Sequence, residues 1–271
     1  MTIRGDSSAT GVNADATAAA ARVRGWLAGA RRCLVLTGAG MSAESGIAPF
    51  RGGDQALWAR FDPARLATPE AFAADPDLVW AWYLWRMAGV RAALPHAGHR
   101  ALAALAGGHP HLQLVTQNVD DLHERAGSAG VVHLHGELFA LRCAACAAPA
   151  ALPALPAAGQ APALRQPPPR CRRCGGAVRP GVVWFGEALP APAWQAAEAA
   201  ARSCDLVLVV GTSGLVHPAA ALPAIARRHG ARVVEINPSP TALSGAADLC
   251  WRATAAQALP LLTDASAKPG G

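Results

Sequence analysis

The sequence predicts an α/β fold, a parallel-sheet large domain with a smaller inserted cysteine-bearing module. Short apolar runs at Cys33–Leu36, Leu112–Thr116, Cys204–Val210 and Arg232–Asn237 alternate with helical stretches, as strands buried on both faces do. Several end in small or polar residues, where strands of an open α/β sheet meet their ligands. Midway, four cysteines stand in two C-x-x-C pairs, Cys143/Cys146 and Cys171/Cys174.

The bulk properties narrow the function classes. A chain of 271 residues suits one large domain with a small insertion. Its 52% hydrophobic content is inflated by alanine, and its charge of +6 comes from scattered arginine with almost no lysine. No basic cluster argues for a nucleic-acid partner. No apolar run reaches membrane-span length, and nothing before Trp26 reads as a signal peptide. Seven cysteines in this pattern fit a reduced compartment, so a soluble cytoplasmic protein is expected. Residues 1–16 read as a disordered tail and 264–271 as a loose one.

The elements follow in order. Thr17 N-caps a helix to Ala30, ahead of the strand Cys33–Leu36. From Thr37 to Ile47, glycine and alanine replace bulky residues. Such a turn lets backbone N–H groups approach a pyrophosphate, although the spacing is not G-x-G-x-x-G and a plain tight turn fits equally. Ala48–Gly53 is loop, with Arg51 as an anion contact or an ordinary surface arginine. Leu66–Leu94 is helical and rich in aromatics. Tyr83 and Arg86 share a helix face there, as a carboxylate grip or as a core face with a snorkelling arginine. A short helix over Gly98–Gly107 precedes the strand Leu112–Thr116, which ends in Gln117-Asn118-Val119-Asp120-Asp121. Val131–Glu137 reads as a third strand with His133 and His135 on one face, either a structural histidine or a general base.

Four thiolates on two tight turns complete a tetrahedral zinc shell with no open position, so the zinc is structural. Ala147–Pro169 is an Ala/Pro-rich loop without a core of its own. Arg179–Glu187 is either an edge strand for a peptide or a plain return strand. A helix over Trp194–Ser203 leads to the strand Cys204–Val210, which ends in Gly211-Thr212-Ser213. Helical Pro218–Arg228, the strand Arg232–Asn237, a short strand Ala247–Cys250 and a helix Thr254–Leu262 close the chain.

Five motifs in this order resemble the sirtuin family of NAD-dependent protein-lysine deacylases, over about Ala30–Leu262. They are Gly38-Ala39-Gly40-x-Ser42-x-x-Ser45-Gly46-Ile47, Thr116-Gln117-Asn118-Val119-Asp120, His135-Gly136, the paired C-x-x-C, and Gly211-Thr212-Ser213 with Val216 and Pro218. The resemblance implies a Rossmann-like domain from 17–138 and 181–263, a helical insertion at about 50–95, and a zinc-binding module at 139–180. It implies that Gly38, Ala39, Gly40, Ala43, Phe50 and Arg51 line the cofactor loop. Gln117, Asn118 and Asp120 would hold nicotinamide and its ribose, Gly211, Thr212 and Ser213 the phosphates and adenosine side, and Asn237 a ribose hydroxyl. His135 would be the catalytic base. Val183, Phe185, Gly186 and Glu187 fall where the family pairs its backbone with the acyl-lysine peptide. NAD would be consumed, giving free lysine, nicotinamide and 2′-O-acyl-ADP-ribose. Tyr83 and Arg86 match the Tyr-x-x-Arg pair of the class III branch, which removes succinyl and malonyl groups, and Ala67 matches its pocket-widening small residue. Acetyl removal is expected beside these. One departure stands out: in Ile47-Ala48-Pro49-Phe50-Arg51 the proline is displaced by one position from the family pattern.

Overall fold

The computed structural model describes residues 8–47, 63–157 and 163–263. In chain order it contains α1 (Ser8–Gly29), β1 (Cys33–Thr37), α2 (Gly40–Ala43), α3 (Pro63–Leu66), α4 (Pro69–Ala74), α5 (Pro76–Ala92), α6 (Ala97–Gly108) and β2 (Leu112–Thr116). There follow α7 (Leu122–Arg125), β3 (Val132–His133), β4 (Gly136–Cys143), β5 (Val178–Val182), α8 (Ala191–Ser203) and β6 (Leu206–Val210). The chain closes with α9 (Leu222–Arg228), β7 (Arg232–Ile236), β8 (Leu249–Trp251) and α10 (Ala255–Ala258).

Six strands form one parallel sheet in the order β3-β2-β1-β6-β7-β8. Alternate side chains of β1 enter different cores, which is why the run is apolar throughout. Cys33 and Val35 join Leu208, Val210 and Val234 beneath α1 and α6, whereas Leu34 and Leu36 join Val207, Val209 and Val233 beneath α8 and α9. The chain leaves β1 toward β2 on one side, and β6 leads to β7 on the other. The seam between β1 and β6 is therefore the topological switch point, with the carboxyl ends of both strands facing a crevice.

A second core lies outside this sheet. Phe72, Trp80, Tyr83 and Met87 from α4 and α5 pack with Leu138, Leu141, Val178 and Val182 of the antiparallel pair β4–β5. The helical segment and the cysteine module, separate insertions in the sequence reading, thus share one core. Pro69 and Pro76 divide the helical stretch, and Thr68 and Asp75 cap the pieces by accepting from Ala71 N–H and Leu78 N–H. The Ala/Pro-rich loop docks here too: Leu152 and Leu155 pack on the core, and Arg165 pairs with Asp75 at 2.7 Å.

Two expectations need correction, and one of two open alternatives is met. Helix α1 begins at Ser8, so Thr17 is internal to it and the expected tail of residues 1–16 is partly helical. No proline interrupts this alanine-rich stretch, and helix propagation continues through it. The expected strand 131–137 ends at His133, because Gly136, at φ +73°, turns the chain into the second sheet. Arg179–Val182 belongs to β5, which pairs antiparallel with β4, so this part of the extended run is a return strand.

Candidate active site and metal centre

The carboxyl ends of β1 and β6 meet backbone to backbone. Gly38 N–H donates to Val210 O at 3.0 Å and Gly40 N–H to Gly211 O at 2.8 Å. A Cβ on Gly38 would lie 2.8 Å from Thr212 Cβ, and one on Gly40 2.8 Å from Gly211 Cα. Small residues are needed there because two turns share the space. Ala39 and Ala43 are exposed on this turn, whereas Phe50 and Arg51 lie outside the described residues.

Thr212 ties three strand ends together. Gln117 donates to its hydroxyl at 3.0 Å, and Asn237 Nδ2 to its carbonyl at 3.2 Å. Ser213 beside it is exposed. Asn118 uses both amide hydrogens inside the site, on Gly38 O and Ser42 Oγ at 3.0 Å each. The Ser42 hydroxyl in turn donates to Asp120 Oδ2 at 2.9 Å. Burial raises the Asp120 pKa, while the bonds from Ser42 and Leu122 N–H oppose the shift without cancelling it.

The two histidines separate cleanly. His135 Nδ1 donates to Gln117 O at 2.9 Å, which leaves Nε2 with its lone pair. Burial lowers its pKa and the Gln117 bond offsets part of that, so the ring is neutral near pH 7. His133 instead pairs with Glu124 at 2.8 Å and binds Asn118 O. Burial depresses its pKa, but these two bonds outweigh it and the net shift is upward. His133 is a structural ion-pair partner; His135 has the form of a base.

On the side of the second core, Tyr83 is buried on α5 and Ala67 is buried beside α3. Arg86 lies one turn beyond Tyr83, with its guanidinium 5.1 Å from the Trp82 ring centre. Burial lowers the Arg86 pKa, and Tyr83 and Asp120 pull it back up. Val119, between Asn118 and Asp120, packs into the same core as Tyr83. Val183 N–H donates to His135 O at 2.7 Å and Phe185 N–H to Ala67 O at 2.9 Å. Gly186, at φ +87°, and Phe185 form an exposed turn. The Glu187 side chain is committed internally, to Arg179 and to Trp184 N–H at 2.8 Å.

The four cysteine Sγ atoms lie within 4.8 Å of one another, with separations of 3.5, 3.8 and 3.4 Å among them. Tetrahedral zinc with Zn–S bonds of about 2.3 Å requires S–S edges of about 3.8 Å. Ala145 N–H and Arg173 N–H point at Cys143 and Cys171 Sγ, each at 3.4 Å, as knuckle turns arrange them. The site fits a zinc ion.

Several supporting groups escaped the sequence reading. Ser42 links Asn118 to Asp120, and Arg179 and Trp184 brace the Glu187 turn. The Thr37 hydroxyl donates to Thr116 Oγ1 at 2.8 Å and lies 3.1 Å from His123 Nε2. The available signal was a threonine closing each of two mostly apolar strands, Thr37 and Thr116, which pair in register.

A model of the Sir2 family matches residues 38–218. The chain is 57% identical over 236 residues to NAD-dependent protein deacylase 1 of Pseudomonas aeruginosa, covering 87% of this chain and 94% of that one. A solved Sir2 homologue in complex with NAD is 44% identical, with a TM-score of 0.81 over 89% of this chain and 91% of its own. A Sir2 homologue with 2′-O-acetyl ADP ribose is 43% identical, with a TM-score of 0.80 over 89% and 94% of the two chains. The family model covers more than half of the chain and the relatives match nearly all of its described residues, so this chain belongs to the Sir2 family.

Proposed function

We propose that this chain removes acidic acyl groups, succinyl and malonyl, from protein lysines, with acetyl groups as further substrates, and that it works in the cytoplasm. Its general activity follows from its family: it is an NAD-dependent protein deacylase. The observation that carries the acyl preference is the placement of Tyr83 and Arg86 on one turn of α5, a phenol and a guanidinium in a desolvated setting beside the Asn118–Asp120 loop. A buried guanidinium favours a planar carboxylate, which it can bind in bidentate fashion. Ala67 leaves room for the longer acyl chain.

The donor set at the β1–β6 seam fits a dinucleotide. Gly38, Ala39, Gly40, Ala43, Phe50 and Arg51 would form the cofactor loop. Gly211, Thr212 and Ser213 would hold the phosphates and adenosine side, and Asn237 a ribose hydroxyl. Gln117, Asn118 and Asp120 would hold the nicotinamide end. NAD, when bound, supplies the ribose carbon to which the acyl oxygen is transferred as nicotinamide leaves. His135 Nε2 would take up a proton from the ribose hydroxyls, and with one water consumed as the acyl–lysine C–N bond breaks the products would be free lysine, nicotinamide and 2′-O-acyl-ADP-ribose. The exposed turn Val183–Glu187 would receive the peptide backbone. Cys143, Cys146, Cys171 and Cys174 would hold zinc as a structural brace with no open coordination position. Their free thiols suit a reducing, cytoplasmic compartment. Among the described residues no helix is long and apolar enough to cross a membrane.

The test is one peptide carrying acetyl-, malonyl- or succinyl-lysine, assayed for nicotinamide release with wild type and Arg86→Met. The variant should lose about 10- to 100-fold in kcat/KM on succinyl-lysine relative to acetyl-lysine, the range of a hydrogen bond to a charged group. Equal losses on both would overturn the acyl assignment.

A further inference from the structure

We infer that Trp184 is a positioning residue for acyl selectivity: its indole N–H fixes the Tyr83 hydroxyl as a hydrogen-bond donor toward the acyl carboxylate. The inference rests on the acidic-acyl reading above and adds a residue that the Tyr-x-x-Arg pattern does not contain.

Trp184 Nε1 lies 2.8 Å from the Tyr83 hydroxyl oxygen, and both side chains are 2% exposed. A hydroxyl facing another hydroxyl can reverse its direction, but an indole N–H can only donate. The Tyr83 oxygen is therefore the acceptor, and its own proton must point elsewhere. Among the described residues no acceptor takes that proton. Burial pushes the phenol pKa up, so the proton stays on the oxygen. Donation into the oxygen also polarises the O–H bond and strengthens it as a donor. The outcome is a phenol whose polarity is set before substrate arrives, on the same helix face as Arg86.

The indole is held so that it cannot swing away. The Arg179 guanidinium lies 3.3 Å from the Trp184 ring centre on one side, and the Phe72 ring centre lies 5.2 Å away. Glu187 accepts from Trp184 N–H at 2.8 Å and from Arg179 Nη2 at 2.9 Å, which locks backbone and ring together. The neighbouring residues are tied as well, Val183 to the His135 carbonyl and Phe185 to the Ala67 carbonyl. The adjacent residues Val183 and Trp184 thus connect the carbonyl of the candidate base to the Tyr83 hydroxyl.

The experiment compares Tyr83→Phe, Trp184→Phe and the double variant on succinyl- and acetyl-lysine peptides. A fourth protein carries 3-benzothienylalanine at position 184, which keeps the bicyclic shape and removes only the N–H, and so stands in if Trp184→Phe fails to fold. Loss of the Tyr83 bond to a charged carboxylate should lower the succinyl-to-acetyl ratio of kcat/KM about 10- to 100-fold in Tyr83→Phe, and loss of the neutral Trp184–Tyr83 bond should lower it about 3- to 10-fold in Trp184→Phe. The double variant should fall no further than Tyr83→Phe alone. Multiplied losses in the double variant, or wild-type selectivity in the benzothienyl protein, would overturn the role of Trp184 while leaving the acidic-acyl reading intact. A wild-type enzyme with no succinyl preference, or equal losses for both acyl groups in Arg86→Met, would overturn that reading and this inference together.

Discussion

At the scale of single residues, the bond made by one ring nitrogen decides which histidine can act as a base. His135 gives its Nδ1 proton to Gln117 O, whereas His133 is occupied at both nitrogens. A base works in its neutral form, and burial lowers the His135 pKa from the ordinary value of 6.5. The acid limb of the rate profile should therefore fall below that value, with activity retained as pH rises through 7. His135→Ala should lose about 10²- to 10⁴-fold in kcat on every acyl group while keeping the wild-type zinc content and thermal midpoint. Near-normal turnover in that variant would assign the proton transfer elsewhere. Alternation along the sequence could not tell the two histidines apart, because it assumed one strand through both. What separates them is the turn at Leu134–Gly136, which depends on Gly136 reaching φ +73°.

At the scale of elements, the β1 and β6 turns are the parts most legible in the sequence and most constrained in space. Strands buried on both faces must be apolar, and their ends must carry small residues if two turns are to touch. Both facts are local, and Cys33–Leu36 with Gly38 and Gly40 displays them. The destination of α4 and α5 was not legible, because an apolar helix face does not state which surface will cover it. The same holds for the Ala/Pro-rich loop, whose docking through Leu152, Leu155 and Arg165 leaves no periodic signal. The seam itself can be tested with two glycines of similar conformation. Gly211 has φ +61° and its added Cβ would lie 2.5 Å from Met41 N, whereas Gly130 has φ +64° and nothing within 4 Å. Gly130→Ala should cost only the backbone penalty of about 1–2 kcal/mol. Gly211→Ala should cost more and also raise the KM for NAD, since the clash pushes the β1 turn away. Urea midpoints and NAD titrations of the two variants give the comparison, and equal effects would mean that the turns are not in obligatory contact.

At the scale of the whole molecule, the crevice rests on a cluster of three histidines, of which His99 and His123 are buried. His96 Nδ1 accepts from Gly98 N–H, so its Nε2 carries the proton that is donated to Met41 O at 2.6 Å. The His99 ring lies 4.2 Å from His96 and 5.1 Å from His123, and His123 reaches Thr37 at the end of β1. Burial, reinforced by the neighbouring histidines, lowers the His99 pKa from 6.5 to about 2. Burial likewise lowers the His123 pKa from 6.5 to about 4, although Glu124 pulls it upward. Since these folded values lie below the unfolded one, the unfolded chain takes up protons first as pH falls. The stabilisation is complete above pH 6.5 and drains as pH falls toward 4 for His123, and further still for His99. Glu124, Glu187 and Glu235 carry pKa values lowered from 4.5, so their own losses begin only near that pH and below. His133, whose pKa is raised, acts with the opposite sign, contributing most at low pH and losing its contribution as pH rises. His123→Gln removes one titrating group and leaves His133, Glu124 and the four cysteines in the chain. Zinc release at acid pH affects wild type and variant alike and cancels in their difference. The urea midpoint of wild type should therefore fall more steeply between pH 6.5 and 4 than that of His123→Gln, even though the variant is less stable at pH 7.5. Parallel curves would mean that His123 does not couple the crevice to pH.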